Sequence, residues 1–208
     1  MNRRRRLPEA ETGERLDLGL DGATVSYFPR FFAPEDAARL FDELVQVIPW
    51  RQERIVVYGR RRPQPRLTAW FADGQGSYTY SGLTLEASPW PGALSLLRAR
   101  VEAVVGVGFP AALANLYRDG QDGVSWHADD EPELGASPVI ASISLGATRA
   151  FQLRRRDDHD VRREVALAGG SLLVMAGDTQ RNWTHQIPKT TRAVGARVNV
   201  TFRTWNVG

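Results

Sequence analysis

Between Arg197 and Arg203 the chain alternates strictly: Arg197, Asn199, Thr201 and Arg203 fall on one face of an extended segment, and Val198, Val200 and Phe202 on the other. A period of two is the signature of a β-strand whose faces meet different surroundings; a helix would mix the two sets. A solvent-facing edge strand would carry such a stripe. Here, however, the stripe holds two arginines separated only by short polar groups. Guanidinium forks match carboxylates bidentately, so two of them on one face suit a dicarboxylate. Their Cα atoms should lie roughly 20 Å apart in an extended strand. Both side chains must therefore lean inward to hold one five-carbon molecule.

A second pattern precedes it. In Trp126-His127-Ala128-Asp129, residues 127 and 129 point to the same side of an extended chain, and the small Ala128 faces away. His185, in Thr184-His185, can supply a third group from a neighbouring strand. A lone buried histidine is more often a hydrogen-bonded core residue than a ligand. A second histidine and the aspartate at i+2 overturn that reading. Two imidazoles and one carboxylate form the facial triad that holds non-haem Fe(II) and leaves positions open. The remaining histidine, His159, lies in Arg155-Arg156-Asp157-Asp158-His159-Asp160 and reads as an exposed loop residue.

Together with Asn115-Leu116-Tyr117 upstream, these motifs resemble the AlkB family of Fe(II)- and 2-oxoglutarate-dependent dioxygenases, which remove alkyl groups from nucleic-acid bases. The resemblance runs from about Phe28 to Trp205 and leans toward the duplex-DNA-repair members. It implies a double-stranded β-helix (jelly roll), mainly β with flanking N-terminal helices (α+β) and a nucleotide-recognition lid. It also implies Fe(II) on His127, Asp129 and His185, with 2-oxoglutarate and O2 as cosubstrates. Arg203 would hold the carboxylate nearer the metal, and Arg197 the far one, helped by Asn115 and Tyr117. Asn199 and Thr201 would line the pocket. The implied reaction is oxidative demethylation of bases such as 1-methyladenine and 3-methylcytosine, releasing succinate, CO2 and formaldehyde.

The resemblance extends to the substrate side. Tyr78-Thr79-Tyr80-Ser81-Gly82-Leu83-Thr84 is similar to the family's lid, with Tyr80 stacking on a flipped base and Tyr78 at its edge or on the backbone. Asp130 matches a residue facing the base's exocyclic nitrogen; the alternative is a solvated loop residue. Val57-Tyr58-Gly59-Arg60 falls where duplex-preferring relatives carry a hairpin wedge, and Arg60 to Arg62 would grip phosphates. Tyr58 is less apolar than most wedges. Rival readings are an RNA demethylase, a small-molecule 2-oxoglutarate oxygenase and an inactive damaged-base binding module. DNA, single- or double-stranded, is the expected partner.

The 208 residues suit a single dioxygenase domain. The absence of cysteine excludes disulfides and thiolate metal sites. No apolar run is long enough to cross a bilayer, and the segment after Arg3–Arg6 is no signal sequence. The expectation is a cytoplasmic, nucleoid-associated monomer of bacterial type. Residues 1–22 read as a mobile basic arm, about 50–90 as the lid and about 110–205 as the jelly-roll core. Helices are expected over Pro34–Ile48 and Pro91–Val105. Short strands are expected at 55–57, 67–71, 78–81, 113–117, 124–127, 139–145, 150–154, 171–175, 185–187 and 197–205. The charged segment 154–163 reads as a loop.

Overall fold

The computed structural model describes residues 14–57, 59–74, 77–80 and 83–205. The first half contains β1 (Leu16–Asp17), β2 (Thr24–Phe28), helix α1 (Pro34–Val47), β3 (Arg54–Val57), β4 (Arg60–Pro63), β5 (Leu67–Ala72), β6 (Ser77–Tyr80), β7 (Leu83–Glu86) and helix α2 (Gly92–Val105). The second half contains β8 (Ala111–Tyr117), β9 (Val124–His127), β10 (Ile140–Gly146), β11 (Arg149–Arg155), β12 (Arg162–Leu167), β13 (Ser171–Ala176), β14 (Trp183–Ile187) and β15 (Arg197–Arg203). A short helix, α3 (Thr179–Asn182), turns the chain from β13 into β14.

A seven-stranded sheet runs β1-β2-β13-β10-β15-β8-β5, and a four-stranded sheet runs β12-β11-β14-β9. Their strand pairs are antiparallel. Folded on each other, the sheets form the expected double-stranded β-helix. β15 lies inside the large sheet, between β10 and β8, and all its residues are buried. Its apolar face explains half of that burial. Val198, Val200 and Phe202 pack under the helices in one core with Leu40, Leu44, Leu94 and Leu97. Phe202 meets Trp90 and Phe109 at centroid distances of 6.5 and 6.1 Å. The polar face looks the other way, between the sheets, so the stripe is internal rather than a solvated edge.

Both helices arise where expected. Pro34 opens α1 with Glu35 and Asp36 in its first turn, a placement that suits the helix dipole. Pro91 proves to be the N-cap of α2 rather than its first residue. Gly106, at φ 81°, ends α2 in the left-handed conformation that glycine tolerates, and its N–H donates to the Glu102 carbonyl.

Several segments depart from expectation. Residues 16–17 of the expected arm form β1 and pair with β2, while residues 1–13 lie outside the described residues. The segment 67–72, inside the expected lid, is instead the edge strand β5 beside β8. Trp70 and Phe71 are buried there. The rest of the lid span contains two hairpins, β3–β4 and β6–β7, each a separate two-stranded sheet. The charged run 154–163 is a loop over 156–161, as expected, but its ends are strand: β11 extends through Arg155, and β12, which was not expected, starts at Arg162 and buries Val165 and Leu167. His159 is exposed between them, as its neighbours imply.

Candidate active site

His127 ends β9 and pairs directly with His185 of β14, so the ladder itself brings the two imidazoles together. Their ring centroids are 4.3 Å apart. His127 Nδ1 lies 2.8 Å from the Ser125 carbonyl oxygen, which makes Nδ1 the donor and leaves Nε2 free to ligate. Asp129 follows just beyond the strand, buried. Its carboxylate oxygens lie 4.0 Å from His127 Nε2 and 3.9 Å from His185 Nε2. These distances are too long for direct hydrogen bonds and leave room for one ion between the three groups. The three ligand atoms lie within 4.8 Å of one another.

The electrostatics favour a metal-ready state. Burial pushes the His185 imidazole down to about 3, reinforced by neighbouring His127, so the ring is neutral and its lone pair available near neutral pH. Burial opposes ionisation of Asp129, but Arg203, His185 and His127 outweigh it and hold the carboxyl well below the usual range. Arg203 Nη2 donates to Asp129 Oδ1 at 2.9 Å.

At the other end of β15, Arg197 is only 1% exposed. Its Nη2 donates to Ser144 Oγ at 2.9 Å, and its guanidinium carbon sits 5.0 Å from the centre of the Tyr117 ring. Nε and Nη1 are buried without a hydrogen-bond partner. A guanidinium does not escape such a position by losing its proton. Orphaned cationic donors lining a cavity fit an anionic ligand, and a carboxylate would satisfy both.

The sheet register gathers the expected cosubstrate residues. Arg197 pairs with Tyr117 and Asn199 with Asn115, across β15 and β8. All four line one cavity together with Thr201, Arg203 and the His-Asp-His cluster. Asn199 and Thr201 are committed to the protein. Asn199 Nδ2 donates to Ser142 Oγ and to the Ile143 carbonyl, both at 2.8 Å, and Thr201 Oγ1 donates to Asn199 Oδ1 at 3.1 Å.

Sequence reasoning did not single out Arg66, which is buried at 5% exposure and lines the same cavity. Its Nε donates to Asn115 Oδ1 at 2.8 Å. That bond fixes which end of the amide is which, leaving Asn115 Nδ2 as the donor that can face a ligand. Nothing in Pro63-Gln64-Pro65-Arg66 distinguishes this arginine from Arg60 to Arg62, which are exposed on β4.

Of the expected substrate residues with described surroundings, Asp130 and Gly59 do not line the cavity. Asp130, next to the cluster, is exposed and paired with Arg156 Nη2 at 2.8 Å. Gly59, at φ 74°, lies in the turn joining β3 to β4, where Val57 pairs with Arg60. Tyr58 lies outside the described residues. Tyr78 and Tyr80 stand on the backbone of β6, and their side chains are likewise outside the description.

The family model of the 2OG-Fe(II) oxygenase superfamily matches residues 24–203. Alpha-ketoglutarate-dependent dioxygenase alkB homolog 3 of Homo sapiens is 39% identical over 215 residues, covering 96% of this chain and 74% of that protein. The chain belongs to the AlkB family. The Rattus norvegicus alkB homolog 3 is 42% identical over 189 residues, and the match spans 86% of this chain and 63% of that protein's length. DNA oxidative demethylase ALKBH2 of Arabidopsis thaliana is 35% identical over 220 residues, covering 93% and 70%. The structure of OsALKBH1 superposes with a TM-score of 0.60 at 16% identity, over 86% of this chain and 97% of that one, a likeness of fold. AlkB proteins, as 2OG-Fe(II) oxygenases, use Fe(II) and 2-oxoglutarate, and the cavity fits both: two imidazoles with a carboxylate at one end, a guanidinium with two unpartnered nitrogens at the other.

Two outcomes follow from this geometry. Between its folded value of about 3 and the ordinary histidine value of 6.5, His185 stays neutral in the fold while the unfolded chain takes up a proton. The metal-free protein should therefore lose stability as pH falls from 6.5 toward 4.5. Urea midpoints across that range should fall more steeply for the wild type than for His185→Gln; equal slopes would contradict it. Arg66→Met should weaken 2-oxoglutarate binding by roughly tenfold, the value of one hydrogen bond to a charged group. Isothermal titration with Mn(II) present would measure it, and an unchanged dissociation constant would remove Arg66 from the site.

Proposed function

We propose that this chain repairs DNA by oxidative demethylation of N-alkylated bases of the 1-methyladenine and 3-methylcytosine type, with Fe(II), O2 and 2-oxoglutarate. The observation that carries the reading is the convergence of His127, Asp129 and His185 with the unsatisfied Arg197 on one cavity. The substrate class draws its support from relatives named DNA oxidative demethylases. Bound together, iron and 2-oxoglutarate supply oxidation of the N-methyl carbon by O2, yielding succinate and CO2, and the hydroxymethyl group then leaves as formaldehyde.

The chain's own residues bind and orient. His127 Nε2, Asp129 and His185 Nε2 would hold the iron, which would supply the oxidising chemistry with O2 and 2-oxoglutarate. Arg197 takes the far carboxylate of 2-oxoglutarate, with Tyr117 against the guanidinium and Asn115 donating its amide. Arg203 stands at the metal end, neutralising Asp129 and facing the nearer carboxylate. All these groups come from one chain, so a monomer is sufficient. No helix among the described residues is long and apolar enough to cross a membrane.

A base inside a duplex must leave the stack to reach such a cavity. The hairpins β3–β4 and β6–β7 serve as the recognition lid. Tyr80 stacks on the base opposite His127, Tyr78 contacts its edge or the backbone, and Tyr58 and Gly59 form the wedge tip. Arg60 to Arg62, exposed on β4, track phosphates. Asp130 reaches the exocyclic nitrogen once its ion pair with Arg156 opens.

The test is aerobic incubation with Fe(II), 2-oxoglutarate and matched single- and double-stranded DNA and RNA oligonucleotides carrying either methylated base. Mass spectrometry should record loss of one methyl group from DNA, abolished in His127→Ala. Arg197→Met should raise the KM for 2-oxoglutarate by about 10- to 100-fold, the worth of charge-assisted hydrogen bonds. Succinate without demethylated DNA would mean a different substrate; preference for RNA would move the assignment to an RNA demethylase.

A further inference from the structure

The three groups of the metal cluster are not held in the same way. His127 and His185 are a directly paired position of the β9–β14 ladder, and backbone hydrogen bonding sets their spacing. Asp129 lies beyond the end of β9, where the ladder has stopped. Its backbone N–H donates instead to a side chain, Oε1 of Gln180, at 2.9 Å, and both residues are buried at 3% exposure. The other end of the Gln180 amide is occupied as well, with Nε2 against Met175 Sδ at 3.5 Å. That contact assigns the amide's orientation and leaves Oε1 to the Asp129 N–H.

Gln180 belongs to α3, the turn that leads directly into the His185 strand. That turn is tightly braced. Thr179 Oγ1 accepts from the Thr24 backbone N–H at 3.0 Å and donates to the Ala176 carbonyl at 2.6 Å. Asn182 Nδ2 donates to the Gly22 carbonyl at 2.7 Å, and Trp183 Nε1 to the Asp21 carbonyl at 3.0 Å. A side chain on so restrained a turn is a fixed post, and the Asp129 backbone is hung from it.

We propose that Gln180 is the positioning residue for the third metal ligand: its amide oxygen ties the Asp129 backbone to the His185-bearing turn and so fixes the carboxylate relative to both imidazoles. The inference rests on the reading of His127, Asp129 and His185 as the metal site. The division of labour is specific. Arg203 grips the Asp129 carboxylate from the facing sheet, while Gln180 grips its backbone from the same side as His185. Without Gln180 the Ala128–Asp129 segment has one tether fewer, and the carboxylate samples positions off the metal. Groups that orient ligands without touching the metal characteristically change its affinity by about 10- to 100-fold.

The experiment is anaerobic titration with Co(II), followed by its visible absorption, on the wild type, His185→Ala, Gln180→Met and Gln180→Glu. Methionine keeps the shape of glutamine but removes the acceptor; glutamate keeps an acceptor. Co(II) should bind the wild type, lose its site in His185→Ala, bind Gln180→Met about 10- to 100-fold more weakly with an altered spectrum, and return close to wild-type affinity in Gln180→Glu. Wild-type affinity and spectrum in Gln180→Met would overturn the proposal while leaving the metal site intact. Absence of binding to the wild type would instead sink the metal-site reading and the proposal with it. Urea midpoints of the metal-free variants separate positioning from packing: lower stability with unchanged Co(II) affinity also overturns it. A measurement independent of any substitution is amide hydrogen exchange at Asp129 in the metal-free wild type. Protection is expected, and exchange at the rate of an unstructured chain would refute the tether.

Discussion

Arg203 and Asp129 meet across the gap between the two sheets, 2.9 Å apart and both buried, and the site is organised around that contact. Arg203 ends β15, an interior strand of the large sheet; Asp129 follows β9, the edge strand of the small one. Two charges withdrawn from water carry a desolvation cost that only good pairing offsets, and removing either partner leaves the other stranded at about 3–5 kcal/mol. The pair therefore joins the sheets at one location and in one geometry. It also helps hold the Asp129 carboxyl well below its usual range and brings β15 up against the His127–Asp129–His185 cluster.

The same economy runs along β15. Its apolar face sits under α1 and α2, and its polar face lines the cavity, so one strand is both core and active-site wall. Placing polar side chains on a buried interior strand gives them little freedom, and that rigidity is what an orienting site requires. The cost appears as polar groups that the protein alone leaves incomplete, most plainly the Arg197 guanidinium. A dicarboxylate is the kind of ligand whose oxygens would complete them.

Much of this was legible in the residue order because it rests on periodicity. The alternation over 197–203 and the i, i+2 spacing of His127 and Asp129 are local patterns that tertiary structure can only place, not undo. Which segments join the two sheets was less visible. β12 opens with Arg162 and Arg163, whose charge masks the inward Val165 and Leu167 that follow. Residues 67–72 look like part of a lid in sequence because they lie between two hairpins, yet their aromatic pair Trp70 and Phe71 is buried in the sheet's edge strand. Arg66 and Gln180 had no local signature at all. Their roles come from partners 49 and 51 residues away, Asn115 and Asp129, and such long-range pairings are set only when the sheets close. Asp130 illustrates the converse, since its place beside a ligand put it in the site on paper, whereas Arg156 holds it at the surface.

The most direct test of this account is a crystal structure of the protein grown without oxygen in the presence of Mn(II) and 2-oxoglutarate. The account requires a metal bonded to His127 Nε2, Asp129 and His185 Nε2, with the far carboxylate of 2-oxoglutarate on Nε and Nη1 of Arg197. A metal held elsewhere, or a dicarboxylate that leaves the Arg197 nitrogens unpaired, would contradict it.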